Sequence, residues 1–478
     1  MKCLYAGLAG LAVLGLVSCK TTGSNPVLSI EGGKIIGVET ETAGVVAYKG
    51  VPFAAPPVGE LRWREPQPVV PWDGVKVADT YGAASVQTAW DPNSFYGREW
   101  RASGTVPFSE DCLYLNIWTP AAGKTNEKLP VAMWIHGGGY REGFGFEPEM
   151  DGGEEWAERG VILVQVTYRL GVLGFFSHPL LSAESPNGVS GNYGVMDQAA
   201  ALKWIHDNIE QFGGDPDNIT IFGQSAGAGS VQTLCASPKS RGYISKAISM
   251  SGGGLSGGAT GGGMMRGMGG GTLESAQASN KAMMDRANKT TLEEMRALSF
   301  EELTQMAQTG GRMSYMPIVD NYFLTGSFSD MARAGEIPDV PYMFGFTAND
   351  MNDMTKPIQD FATLRNETSD QPVYAYMFAR QLPGDNSGAF HSSDLWYIFH
   401  SFRNSWRPFT KGDNELSLKM VDYWTNFAKY GDPSGKDGGE WTAYTAESPK
   451  FMVLDAGEES ASCEMTATPK FLGGGFPR

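Results

Sequence analysis

Basic residues are scarce: 37 lysines and arginines stand against 53 aspartates and glutamates, leaving a net charge of −16. That field repels a polyanion, and no dense basic cluster reverses it locally, so nucleic acid is excluded as a partner. Cysteine is also thin, five in 478 residues. Five thiols so widely spaced give neither a disulfide scaffold nor metal-ligand spacing, and no metal or cofactor is expected. An apolar run of the roughly 20 residues needed to cross a bilayer is missing, as is any internal repeat. What is present is 41% hydrophobic and 11% aromatic side chains. A chain of this length can bury about three quarters of its unfolded surface, so a large core is available.

The N-terminus reads as an address. Lys2 supplies a positive start, and Leu4 to Val17 is a short apolar run, the pattern of an export signal over residues 1–18. The run closes on Leu16-Val17-Ser18-Cys19, which resembles a bacterial lipobox. In that reading Cys19 is acylated as the mature N-terminus, and residues 19–26 form a flexible tether to the domain. Ordinary secretory cleavage is the bland alternative, giving a secreted protein. Lys20 does not resemble an inner-membrane retention signal, which favours the outer membrane or cell surface. The lipid would be the only membrane contact. Cys112, Cys235 and Cys463 would then remain as thiols in the domain.

Residues 27–478 are expected to form one domain of α/β class. Short β-branched runs from Val27 to Tyr48, broken at Gly32-Gly33 and Ala43-Gly44, predict an N-terminal antiparallel meander. The proline-rich segments at 52–59 and 64–72 predict extended surface chain. Apolar strand-like runs follow at 131–136, 161–168, 219–222, 246–251, 341–347 and 373–378. Nearly continuous apolar runs suit strands covered on both faces. Between them, Met196, Ala199, Ala200, Ile205, Ile209 and Phe212 recur at helical spacing. The alternation predicts a mostly parallel central sheet with helices on both faces. The exception is a glycine-rich insertion at 252–271. So much glycine resists regular structure, and a flexible linker is the preferred reading. A flap, with Met264, Met265 and Met268 as adaptable apolar contacts, is the alternative.

Gly223-Gln224-Ser225-Ala226-Gly227 follows the strand-like run ITIF and precedes a helix-compatible stretch. A serine on such a strand-to-helix turn is raised from the sheet, and the flanking glycines remove Cβ atoms that would clash. The following helix offers its dipole and unpaired amides to an anion. A serine hydroxyl needs a positioned base to become a nucleophile. His136-Gly137-Gly138-Gly139-Tyr140 follows another apolar run and fits an oxyanion loop. The amides of Gly138, Gly139 and Ala226 are the candidate donors, each such donor being typically worth ~3 kcal/mol in the transition state.

With the chain order serine, acid, histidine, the base lies after Ser225, which leaves His391 and His400 among five histidines. His391 sits in a polar, glycine-containing loop and is preferred. His400 ends an aromatic, helix-like run, where a packed core or rim histidine is the commoner fate. Asp350 is the first carboxylate after the run PYMFGFT and is the expected acid; Asp353 and then Asp320 are the competitors.

These segments, with SEDCLYLNIW (109–118), the stretch 201–227, FGFTAND and GAFHSSD, together resemble type-B carboxylesterases, the cholinesterase-like α/β-hydrolases. The resemblance runs from about residue 27 to the C-terminus. It implies the α/β-hydrolase fold and a serine carboxylic ester hydrolase working through an acyl-enzyme on small to medium esters. Ser225 would be nucleophile, Asp350 acid, His391 base, and Gly138, Gly139 and Ala226 oxyanion donors. The family often carries glutamate as the acid, so Asp350 has a shorter reach. It also implies a structural Arg62–Glu110 ion pair and no disulfide at Cys112, whose usual partner position holds Ser85. Gln224 stands where cholinesterases have glutamate, and without that anion choline esters are poor candidates. The alternatives are a non-catalytic surface-binding module of the same fold and a polysaccharide acetyl esterase. The aromatics near 90–100 and 396–409 suit a sugar site, an acyl pocket or a core equally.

Overall fold

The computed structural model describes residues 25–100, 106–255, 271–309 and 316–474. The export signal, Cys19, most of the tether, and Met264, Met265 and Met268 lie outside the described residues.

Strands β1 (Val27–Ile30) and β2 (Gly33–Ile36) form an antiparallel hairpin that turns Leu28 and Ile35 inward. The expected meander stops there. Strand β3 (Val38–Glu39) and β4 (Val46–Pro52) pair with each other at the edge of the large sheet, while β5 (Val75–Val77) joins β2 in parallel. The reason is burial: Val46, Ala47 and Tyr48 are consecutive and all buried. They need cover on both faces, which a small surface sheet cannot supply. The proline-rich segment at 52–59 is likewise not surface chain throughout, because Phe53, Ala54 and Ala55 are drawn into the core. A short parallel pair, β6 (Ala84–Ser85) with β7 (Phe108–Ser109), follows.

The large sheet continues with β8 (Tyr114–Thr119), β9 (Leu129–Ile135), β10 (Ile162–Val166), β11 (Gly214–Gln224), β12 (Lys246–Met250), β13 (Tyr342–Thr347), β14 (Val373–Phe378), β15 (Phe451–Ala456) and β16 (Ala461–Thr466). Its eleven strands are ordered β16-β15-β14-β13-β12-β11-β9-β10-β8-β4-β3. From β10 through β15 every neighbour is parallel, and the margins are antiparallel. Each of the six apolar runs has become a strand. Met133, Trp134 and Ile135 point to alternate faces and none is exposed, so helices cover both sides. On one face Trp134 and Phe222 pack against Trp156 and Phe399. The helix predicted from Val195 is Tyr193–Asn208, prolonged by a tighter turn over Ile209–Phe212. The next helix, Ala226–Ala236, starts directly after the end of β11 and packs on β11 and β12.

Candidate active site

Ser225 lies on the turn between β11 and the helix Ala226–Ala236, with φ 57° and ψ −119°. For a non-glycine residue this backbone is strained, a cost borne where a side chain must be aimed. Its glycine neighbours are required by contact. A Cβ on Gly227 would sit 2.0 Å from the Ile135 carbonyl oxygen, and one on Gly223 would sit 2.5 Å from that of Gly227. Helix and strand therefore close on each other, and the serine hydroxyl is pushed up between them.

His391 Nε2 lies 2.9 Å from Ser225 Oγ, and His391 Nδ1 lies 2.7 Å from Asp350 Oδ1. Asp350 is fully buried, three residues beyond β13. Its carboxylate accepts from the Met351 amide (2.7 Å) and from the Thr347 amide and hydroxyl (both 3.2 Å). Burial alone would push this carboxyl up. The charge and hydrogen bond of His391, with the Thr347 amide, outweigh it and hold Asp350 below the usual carboxylate range. The shorter aspartate reaches its partner because the two loops are stitched together. The Asn349 amide donates to the Ala389 carbonyl (3.0 Å), and the Ala389 amide donates to Asn349 Oδ1 (3.1 Å).

The glycine loop faces the serine: a Cβ on Gly137 would lie 3.2 Å from Ser225 Cβ. Gly138 (φ 91°) and Gly139 (φ 62°) turn through left-handed backbone. Among the described residues, neither of their amides donates a hydrogen bond. Ala226 is the first residue of its helix, where amides have no intrahelical acceptor. The site thus joins a hydroxyl, a base, a buried carboxylate and a set of backbone donors.

The remaining histidines and acids have other work. His136 stacks on Tyr168, and burial lowers it to about 4, so it stays neutral. Burial also lowers His178 and His400; His400 Nδ1 pairs with the Ser417 hydroxyl at 2.8 Å. His206 is paired with Asp207. Asp353 is exposed and accepts from the Thr355 amide. Asp320 accepts from three successive amides, of Tyr322, Phe323 and Leu324.

Arg62 and Glu110 form the expected ion pair, with Nε to Oε2 at 2.7 Å. Cys112 is buried beside Ser85 and is a free thiol, as are Cys235 and Cys463. Burial pushes all three thiols up, Cys235 to about 12 and Cys463 to about 11. The aromatics near 90–100 and 396–409 meet each other: Trp100 lies 5.5 Å from Trp396. Trp396 and Tyr397 are fully buried, so this group contributes more to core than to an open subsite.

Two neighbours of the base, Asp394 and Tyr96, were not singled out in the sequence, and a third, Gln224, was read there for its missing charge and not as a partner of the base. Gln224, buried, has Nε2 3.3 Å from His391 Nε2. Asp394, fully buried three residues after His391, is pushed up to about 7 by burial and then by the charge of Asp350. The Tyr96 hydroxyl donates to the His391 carbonyl at 2.9 Å. Of Asp394 and Tyr96, only Asp394, by its closeness to His391 in sequence, carried a local signal.

A family model described as "Carboxylesterase family" matches residues 24–360 and 353–470. The human cocaine esterase is 30% identical over 525 residues, spanning 93% of this chain and 90% of that protein. The chain belongs to the carboxylesterase family. This carboxylesterase also resembles the para-nitrobenzyl esterase of Bacillus subtilis, at 29% identity over 91% of this chain and 95% of that one. Fumonisin B1 esterase of Sphingopyxis macrogoltabida is 38% identical, over 70% of this chain and 58% of its own length. Among solved structures, a thermophilic PNB esterase superposes with a TM-score of 0.77 at 27% identity, covering 92% of this chain and 98% of that one. The carboxylesterase of Geobacillus stearothermophilus gives 0.73 at 29%, covering 92% and 97%. The frame is therefore the α/β-hydrolase fold, and the protein is a carboxylic ester hydrolase. Neither a binding module nor a polysaccharide acetyl esterase is favoured by these likenesses.

Proposed function

We propose that ester hydrolysis runs through Ser225, His391 and Asp350, on small to medium carboxylic esters. Ser225 Oγ attacks the ester carbonyl as His391 Nε2 takes its proton. Asp350 holds the imidazole tautomer and stabilises the imidazolium that forms. The amides of Gly138, Gly139 and Ala226 receive the oxyanion. Collapse of the tetrahedral intermediate expels the alcohol, protonated by His391, and leaves Ser225 acylated. Water, deprotonated by the same imidazole, then attacks the acyl-enzyme and releases the acid. The observation that carries the reading is the unbroken hydrogen-bond chain from Asp350 through His391 to Ser225, at 2.7 and 2.9 Å. The neutral Gln224 beside the base argues against cationic choline esters.

The test compares wild type with Ser225→Ala on p-nitrophenyl esters of increasing chain length, alongside fluorophosphonate labelling. Labelling should vanish and kcat fall by about 10⁴-fold or more; equal hydrolysis and labelling in both would overturn the assignment.

We infer further that residues 1–18 are removed as a signal, that Cys19 is the acylated N-terminus, and that 19–26 tether a single domain, 27–478. That places the enzyme in the cell envelope, at the outer membrane or cell surface. The support is the apolar run Leu4 to Val17 closing on Ser18-Cys19. A radiolabelled palmitate chase should lose its label in Cys19→Ser, and unchanged incorporation would refute the anchor.

A further inference from the structure

The base sits in a stretch from Ala379 to Asp394 that has no regular helix or strand, yet its ring must keep its place to within about 0.5 Å to meet both partners. On one side Asn349 stitches the stretch to the acid's loop. On the other side stands the short helix Phe95–Glu99, whose start is capped by the Ser94 hydroxyl accepting from the Gly97 amide. Tyr96 in this helix donates its hydroxyl to the His391 carbonyl at 2.9 Å. Phe95 meets the ring of Phe390, the residue before the base, edge-on at 4.9 Å.

What fixes the helix is a buried ion pair. Glu99 and Arg407 are almost wholly buried, with Nε to Oε1 and Nη2 to Oε2 both at 2.8 Å. Glu99 also accepts from the indole N–H groups of Trp396 (2.9 Å) and Trp406 (3.3 Å). The guanidinium spends its other donors on the base's own stretch: Pro383 O at 2.9 Å, Asp385 Oδ1 at 3.0 Å and Ser387 Oγ at 3.1 Å. One cation therefore binds the helix and the loop to each other.

We propose that Tyr96 is a positioning residue for His391, its hydroxyl held in place by the Glu99–Arg407 pair and holding in turn the backbone of the base. The carbonyl bond fixes the point from which the His391 side chain departs. Without it the loop retains Arg407 at three residues but loses the bond to the base's own backbone. A displacement of about 1 Å at a reacting group can cost about 10²-fold in rate, so a partial loosening reads in kcat. The proposal rests on His391 being the base.

The test is Tyr96→Phe, which keeps the ring and removes one hydroxyl. Expected are a kcat lower by about tenfold, a KM within about twofold, and a fluorophosphonate inactivation rate reduced by the same factor as kcat. Glu99→Gln should lower kcat in the same direction and add little in the Tyr96→Phe background, because both act through one contact. Wild-type kcat in Tyr96→Phe, a change confined to KM, or fully multiplicative effects of the two variants would each overturn the proposal. Activity retained in His391→Ala would instead bring down the assignment of the base, so the two failures are distinguishable.

Discussion

The nucleophile and the base are held in opposite ways. Ser225 is fixed by its immediate neighbours: a strand that ends at Gln224, a helix that begins at Ala226, and glycines so tightly closed that a Cβ on Gly227 would stand 2.0 Å from Ile135 O. His391 has no such frame. It is fixed by Asn349, Tyr96 and Arg407, partners far away in sequence on three separate segments. A hydroxyl aimed by local backbone is rigid by construction. A ring aimed by distant contacts is only as well placed as each of them, and its site can be adjusted from afar.

The sharpest way to break this contrast is at the two late histidines. His391→Ala should abolish turnover, by about 10⁴-fold, while His400→Ala, whose ring meets Ser417 and Phe402, keeps most of it; steady-state kinetics on one ester decides, and the reverse result would reassign the base. At the elbow the expected loss is of fold rather than of chemistry. Gly227→Ala should destabilise the protein by several kcal/mol, since backbone rather than a flexible side chain blocks the added carbon; a denaturant melt matching wild type would refute the close approach. The smallest effect is expected behind the base. Asp394 has its pKa raised to about 7 in the folded protein, against about 4 unfolded. Between those values the unfolded chain loses a proton that the native state keeps, so stability falls as pH rises from about 4 to about 7. Asp394→Asn removes that loss. Its Tm should gain on wild type by a few degrees over this window, and a constant difference at all pH values would contradict the buried neutral carboxyl.

The same contrast explains what could be read in advance. The parallel strands were legible because burial on both faces leaves an uninterrupted apolar run, as in Ile162–Val166. The elbow was legible because strand, glycines and helix follow one another in a few residues. The outer strands β15 and β16 were not singled out, since the residues of β16 are half-exposed and mixed in polarity. The long helix Lys411–Tyr430 was also missed, although a Thr410–Asp413 capping box marks its start. Tyr96 and the Glu99–Arg407 pair carried no local mark at all. They are separated from their partners by 295 and 308 residues, and only the folded chain brings such charges and hydroxyls together. Val38 and Val46 illustrate a subtler failure: the strands they belong to were foreseen, but which sheet they would join depended on cover supplied elsewhere.

The reciprocal bonds between Asn349 and Ala389 make one unit of the two segments that carry acid and base. That unit meets Ser225 through the imidazole of His391, at 2.9 Å. A shift of either segment carries the other along, so acid and base move together and the proton pathway between them survives changes elsewhere in the chain.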